Sequence, residues 1–137
     1  MEFREIMAEG NLSVWEDAAE MIAARHDIKV LQQPETCMTM MQALDSVGHT
    51  PFYVGEILMT EAVVSINEAT GFGFALEDEP VRALCIAIID AAFTAHIEEE
   101  VEIRHIVAAE EQRILKRQQQ EAALVAATQV RFDIMEG

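Results

Sequence analysis

The sequence predicts an α+β domain: an N-terminal helix, an antiparallel sheet of about four strands, a buried helix and a long C-terminal helical arm. Three patterns support this fold class. Apolar and polar residues alternate between about 28 and 76, residues 83–93 are apolar almost throughout, and a long, mostly polar helical pattern follows. A period of two is typical of strands, and a helix that is apolar on nearly every side must be covered on most of them.

The chain reads as a single domain over residues 1–137, because this length can bury one core without disulfide or metal support. A hydrophobic content of 51% is that of a chain that folds. We expect an N-terminal helix at about 11–26, the sheet at about 28–76, helices at about 79–128 and a closing segment at 129–137.

Acidic residues dominate the charge: 25 Asp and Glu face 9 Lys and Arg, for a net charge of −16. This balance argues against nucleic acid and anionic membranes as partners, since both bind through clustered cations. The N-terminus lacks the basic start and apolar run of a signal peptide, and no apolar stretch approaches the ~20 residues that cross a bilayer. We therefore expect a cytoplasmic protein.

The two cysteines, Cys37 and Cys85, lie in apolar surroundings without CxxC spacing. That context predicts two buried thiols in a reducing compartment. A single disulfide between them stays open as an alternative.

At the N-terminus, Phe3, Ile6 and Met7 form a short amphipathic turn that Gly10 interrupts. The segment Ser13-Val14-Trp15-Glu16 has the pattern of a capping box and predicts a helix over residues 14–25. We interpret Trp15 as a core or rim aromatic rather than a ligand-stacking one.

Short apolar runs at 28–31 and 37–44 predict two strands separated by a turn-like break at 33–35. A long strand follows at 54–66, a hairpin turn at 67–70 and a further strand at 71–76. In that last strand Phe72, Phe74 and Leu76 share one face, while Gly71 and Gly73 leave the other nearly bare. Such a bare face would let another backbone approach closely.

The buried helix is predicted to begin near Asp78 as its cap, with Pro80 in the first turn. Within residues 83–93 the one charge is Asp90. A carboxylate in that setting is paired, lies at the helix edge, or has a pKa shifted for chemistry. We favour the first two readings, because buried charges usually have partners.

Residues 96–128 predict a helix longer than a compact domain of this size can cover. Two interpretations stay open: part of this arm lies on another chain, or a kinked pair of helices packs back on the sheet. Glu102 and His105 have the Glu-x-x-His spacing of carboxylate-bridged di-iron bundles, but the second copy of the motif is absent. We therefore interpret them as part of a solvated acidic face and predict no metal site.

A series of short motifs along the chain resembles the G subunit of the bacterial phosphonate carbon-phosphorus lyase core complex, the PhnG family. The resemblance covers residues 28–93 and, more faintly, 130–137. It rests on Pro34-Glu35-Thr36, Thr50-Pro51-Phe52, Gly55-Glu56, Thr60, Gly71-Phe72-Gly73-Phe74 and Ile89-Asp90-Ala91.

The resemblance implies an accessory subunit that assembles with the I-type nucleosidase subunit and with H- and J-type subunits. In the family, the complex converts ATP and an alkylphosphonate to α-D-ribose 1-alkylphosphonate 5-triphosphate and adenine. MgATP would then be a substrate of the assembled complex, with no cofactor bound by this chain. Glu61 and Glu77 depart from the family pattern, which more commonly has arginine at these places.

No Lys or Arg occurs between Lys29 and Arg82, so the sheet region by itself cannot neutralise a triphosphate. The lack of basic residues in the sheet region and the family resemblance thus both favour an accessory role. The catalytic cations would then lie on a partner subunit. We nominate no catalytic residue. The candidates for a partner interface or composite site are His49, Thr50, Phe52, Gly55, Glu56, Thr60, Gly71, Gly73, Asp90, Ile114 and Leu115.

A different function remains as the alternative: a free-standing homo-oligomeric binding module without phosphonate chemistry. In that case the glycine-rich sheet face or the arm would form a self-interface.

Overall fold

The computed structural model describes residues 1–44, 48 and 51–136, with side chains described for 1–40, 48 and 55–128. The described residues form four helices and three strands, which confirms the predicted α+β class. In chain order they are α1 (Phe3–Glu9), α2 (Leu12–Ala23), β1 (Ile28–Leu44), β2 (Pro51–Ile66), β3 (Ala69–Leu76), α3 (Pro80–Ala95) and α4 (Glu100–Glu136).

The sheet is antiparallel with the order β1-β2-β3. The prediction of a turn-like break at 33–35 is wrong, because β1 continues through these residues as one 17-residue strand. The pairing register with β2 instead shifts between Val30 and Gln32 and again between Gln32 and Glu35. Because β1 is an edge strand, Pro34 can lie beside such an irregularity without removing a hydrogen bond from the interior of the sheet.

A turn joins β2 to β3 as the sequence predicts, but it is two residues long rather than four, and β3 begins at Ala69. Asn67 and Glu68 have φ values of 50° and 70°, and the flanking Ile66 and Ala69 are paired. Positive φ at both central residues gives a turn whose twist matches that of the strands. The hairpin therefore pairs β3 with the C-terminal half of β2.

Helix α3 lies directly on one face of the sheet, and its contact with β3 is unusually close. A methyl group at Gly73 would overlap the backbone of Ala83, and one at Gly71 would overlap the backbone of Ala87 and Ala91. These three alanines are spaced four residues apart and so share one face of the helix. The expectation of a close backbone approach is confirmed, and the approaching backbone belongs to the same chain.

The start of α3 differs from the prediction. Pro80 is in the first turn as expected, but the N-cap residue is Glu79 rather than Asp78, and its side chain makes no capping hydrogen bond. Thr60 of β2 takes that role instead: its Oγ1 accepts a hydrogen bond from Glu79 N at 3.0 Å and donates one to Glu77 O at 2.6 Å. The sheet thus fixes where the helix begins.

The N-terminal helices pack around Trp15, which is fully buried. Its Nε1 donates a hydrogen bond to Met7 O at 3.2 Å, and its ring lies against Gly10. The core interpretation of this tryptophan is confirmed. The capping box is wrong, because α2 starts earlier and Asn11 is its cap, accepting a hydrogen bond from Ser13 N at 3.1 Å.

Two carboxylates hold α4 against both ends of α2. Glu99 contacts His26 Nε2 at 2.8 Å, at the C-terminal end of α2. At the N-terminal end of α2, Glu110 accepts a hydrogen bond from Asn11 N at 2.9 Å. Glu110 also forms an ion pair with Arg113. The hydrogen bond with His26 lowers the pKa of Glu99, and the hydrogen bond with Arg113 lowers that of Glu110.

Helix α4 is a single element of 37 residues, about 55 Å long, so the kinked pair of helices is not the observed arrangement. Ile103, Val107 and Ile114 are buried, whereas residues 118–128 are exposed throughout. The helix therefore packs on the domain with its first half and extends beyond it with its second.

We expect Gly73→Ala to lower the free energy of unfolding by about 1–3 kcal/mol, because the added methyl group forces α3 away from β3. Gly55→Ala is the matched control: nothing lies within 4 Å of its added methyl group, so we expect a change within about 0.5 kcal/mol. Urea denaturation of both variants measures the difference. Equal stability of the two variants would contradict the close packing.

Stability should decline in acid as Glu99 and Glu110 are protonated. Their folded-state pKa values lie below the ordinary 4.5, so their contribution is present above that value and is lost as the pH falls through the lower folded values. We expect Glu99→Gln to be less stable at neutral pH and to show a shallower decline between about pH 5 and 3. Urea denaturation across this range, with Glu98→Gln as an exposed control, tests this; a Glu99→Gln profile parallel to the wild type would refute it.

Candidate functional site

A groove with a volume of about 720 Å³ lies between α1 and the edge strand β3. Its apolar walls come from Phe3 and Met7 of α1 and from Phe72, Phe74 and Leu76 of β3. The three β3 side chains point away from α3 because alternate residues of a strand face opposite sides. Because the glycines of β3 face α3, its large apolar side chains face the opposite side and form a wall of the groove.

Arg82 of α3 holds the α1 wall of this groove in place. Its Nη1 donates hydrogen bonds to Met7 O and Gly10 O, each at 2.9 Å, and its Nε lies 3.4 Å from Glu79 Oε1. Carbonyl groups at the end of a helix lack partners within that helix. Arg82 supplies such partners at the end of α1 and so attaches α1 to α3.

Asp90 lies where α3 passes the edge of β3. Its Oδ2 accepts a hydrogen bond from Phe72 N at 2.9 Å, and the residue is half-buried. The prediction that this carboxylate is paired or at the helix edge is confirmed. By occupying an outward backbone donor, Asp90 makes this part of the edge less available to another strand.

The groove is strongly acidic. Five carboxylate residues and two arginines line it, and Arg82 is already engaged with α1 and Glu79. A triphosphate needs several charge-assisted donors, which this set does not offer. The groove fits a cationic or apolar group better than an anion. The carboxylates are Glu9, Glu61, Glu77, Glu79 and Asp90.

The face of the sheet opposite α3, which we call the back face, is continuous with this groove and contributes part of its lining. It is formed by rows of paired residues that cross all three strands. Among these side chains Phe72, Phe74 and Leu76 keep 49%, 44% and 55% of their surface exposed. The rows are Lys29, Ser65, Thr70; Gln32, Val63, Phe72; Glu35, Glu61, Phe74; and Cys37, Met59, Leu76.

Strands β1 and β2 continue past the end of β3 as a two-stranded hairpin extension, residues 38–44 and 51–58. The last β2–β3 pair is Met59 with Leu76, whereas β1–β2 pairing runs on to Leu44 with Pro51. Met38, Met40 and Leu58 are exposed on this extension. An isolated hairpin is at best marginally stable in water, so contact with another surface would stabilise this one.

Several predicted site residues belong to this extension. Gly55 pairs with Met41, Glu56 is exposed opposite Met40, and Phe52 pairs with Ala43 through the backbone. His49 and Thr50 lie outside the described residues.

Four other predicted contacts need correction. Gly71 and Gly73 are covered by α3 and cannot meet a partner chain. Thr60 is buried and bonded to the start of α3, and Ile114 is fully buried in the core of this chain. Leu115 is half-buried beside it.

The exposed apolar part of α4 lies further along, at Leu124 and Val125, which keep 69% and 58% of their surface. Neither residue is among those predicted from the sequence to contact a partner. The apolar run around Leu124 was the available signal, but it cannot show where α4 leaves the core.

The two cysteines differ, contrary to the expectation that both are buried. Cys37 is exposed on the back face, Cys85 is buried in α3, and both are free. Burial, with a smaller contribution from the charge of Glu16, raises the pKa of the Cys85 thiol to about 11. Cys37 is therefore the accessible thiol of the two.

Glu102 and His105 are both exposed on α4. Within the described part of the chain no group of three or more His, Cys, Asp and Glu side chains is arranged to hold a metal ion. Nor do those residues include a helix of the length and hydropathy needed to cross a membrane.

A family model described as "Phosphonate metabolism protein PhnG" matches residues 2–137. The match extends well beyond the motifs in the sheet and includes both α1 and α4. No curated protein matches the chain.

Thiol titration should find one reactive cysteine per native chain. Cys37 is exposed, whereas Cys85 is buried and largely protonated at pH 8, and the thiolate is the reactive form. We expect a thiol-specific chromogenic disulfide to react with one thiol before unfolding and with two in denaturant. Cys37→Ser should leave none reactive in the native chain; two rapidly reacting native thiols would contradict the burial of Cys85.

Proposed function

Because the chain belongs to the family of phosphonate metabolism protein PhnG, we propose that it is an accessory subunit of the carbon-phosphorus lyase core complex. The family membership carries this proposal. The chain would assemble with the I-type nucleosidase subunit and with H- and J-type subunits. It would be inactive alone and would act in organophosphonate catabolism.

The proposed reaction of the complex exchanges the adenine of ATP for an alkylphosphonate. The bond between ribose C1′ and adenine breaks, a phosphonate oxygen bonds to C1′, and adenine leaves. MgATP is then a substrate of the whole assembly, and this chain binds no cofactor of its own.

The acidic groove supports an accessory role. Arg82 is committed to the backbone of α1, and five carboxylates line the same groove. Cations that neutralise the triphosphate would have to come from a partner subunit. A composite site is part of the proposal. This chain's candidates for it are the exposed Glu56 and three positions that precede it in the sequence, His49, Thr50 and Phe52.

The two protruding elements support assembly with other chains. The hairpin extension exposes Met38 and Met40, and the outer half of α4 exposes Leu124 and Val125. Apolar side chains on extensions that no other part of the described chain covers are typical of surfaces that become buried in a complex.

The test is co-expression of this chain with the I-type subunit from the same genome, followed by size-exclusion chromatography with mass detection. We expect co-elution at a fixed stoichiometry. Leu124→Glu with Val125→Glu should weaken it at least tenfold, because two charges would enter an apolar contact.

The matched control is Gln118→Glu with Gln119→Glu, which adds the same charge to the same exposed part of α4 and should leave co-elution unchanged. A homogeneous oligomer of this chain that elutes apart from the I-, H- and J-type subunits would refute the proposal. That result would favour the free-standing homo-oligomeric module.

A further inference from the structure

We propose that the back face binds a basic segment of a protein partner, which places a Lys or Arg side chain between Glu35 and Glu61 and covers the apolar side chains of β3. The inference deepens the proposed function and rests on it for the existence of a partner subunit. It assigns the surface and the chemistry of the group that the surface receives.

The back face is apolar and open. Helix α3 occupies the other face of the sheet, where Ala62, Val64 and Ile66 are fully buried. On the back face Phe72, Phe74 and Leu76 are exposed side by side along β3. A one-sided antiparallel sheet normally presents polar residues to water, so large apolar residues here indicate a surface that another molecule covers.

Two like charges lie together, without a counter-charge bonded to either, in the middle of that face. Glu35 and Glu61 are directly paired across β1 and β2, which sets their Cβ atoms about 4.5–5.5 Å apart. Among the described residues neither carboxylate has a hydrogen bond or ion-pair partner. Like charges in this arrangement destabilise a sheet, and a cation placed between them would reverse the effect.

No cation in the described part of this chain is paired with the two carboxylates. Arg4 lines the groove that Glu61 also lines, and Lys29 lies on the back face beside Ser65, but neither forms an ion pair with Glu35 or Glu61. Arg82 is bonded to α1 and Glu79 instead, so a cation between the carboxylates would come from a partner. The rest of the chain carries a large negative excess.

A second copy of this chain is disfavoured as the occupant. Two back faces packed together would bring four glutamates into one interface, and both chains carry a net charge of −16. Charge complementarity favours a basic partner instead.

An aromatic ring lies next to Glu61 in the sheet. Phe74 pairs with Glu61, so a cation between the carboxylates would also lie near an aromatic ring. An arginine suits this setting best, because its planar guanidinium can bond two carboxylates and stack on a ring at the same time.

The chain contains a native reporter for this surface. Cys37 is exposed two residues from Glu35 and is paired with Met59 on the same face. Cys85 is buried and serves as the internal control. The rate at which N-ethylmaleimide alkylates Cys37 therefore reports whether the back face is covered.

The experiment compares this rate in the chain alone and in the complex formed with co-expressed I-, H- and J-type subunits, with alkylation followed by peptide mass spectrometry. We expect Cys37 to react at least tenfold more slowly in the complex. Glu35→Gln with Glu61→Gln should weaken assembly at least tenfold and restore Cys37 reactivity.

Two controls separate the proposed contact from loss of charge or of folding. Glu98→Gln with Glu102→Gln removes two exposed carboxylates elsewhere and should leave assembly unchanged. The Glu35 and Glu61 variant should show a higher thermal midpoint than the wild type when alone, because the repulsion between the two carboxylates is removed.

Each other outcome overturns the inference in a recognisable way. If the complex forms and Cys37 stays reactive, the back face is not the interface, although the proposed function survives. If Cys37 is protected in the chain alone, a second copy covers the face. If Cys37 is protected but the glutamine variant assembles normally, no cation lies between the carboxylates. If no complex forms, the proposed function fails together with the inference.

Discussion

The close approach of α3 to β3 is the constraint on which the rest of the structure depends. Gly71 and Gly73 admit the helix backbone only because they have no side chain, and the helix meets them with alanines. Since strand residues alternate between faces, the large residues of β3 must point the other way. The close contact between α3 and β3 thus produces both a core of small residues and an apolar surface on the outer face of the sheet.

That division explains why the chain has so much exposed apolar surface despite its strong negative charge. The core is built from Trp15, the aliphatic side chains of β2 and the alanine-rich face of α3. Phe72, Phe74 and Leu76 contribute little to it. The chain belongs to a family whose members are subunits of a phosphonate metabolism complex. Apolar surface outside its own core suits contact with other chains.

Local signals in the sequence predicted the elements that depend on local chemistry. The turn at Asn67 and Glu68, the apolar pattern of α3 and the position of Pro80 were all found in this way. Features decided by distant contacts were not: β1 runs through Pro34 because it is an edge strand, and Thr60 replaces Asp78 at the start of α3. The candidate site shows the same division, since glycine spacing indicated a close backbone approach but not that the backbone was the chain's own.

The length of α4 limits which insertions and deletions the helix can accept. Its first half is held by Glu99 and Glu110, so the direction in which Leu124 and Val125 point is set by helical phase. Deleting one residue between Ile114 and Leu124 would rotate both side chains by about 100° and draw them in by about 1.5 Å. Removing seven would nearly restore the direction while shortening the reach by about 10 Å. Length changes in this helix should therefore be tolerated in whole heptads rather than one residue at a time.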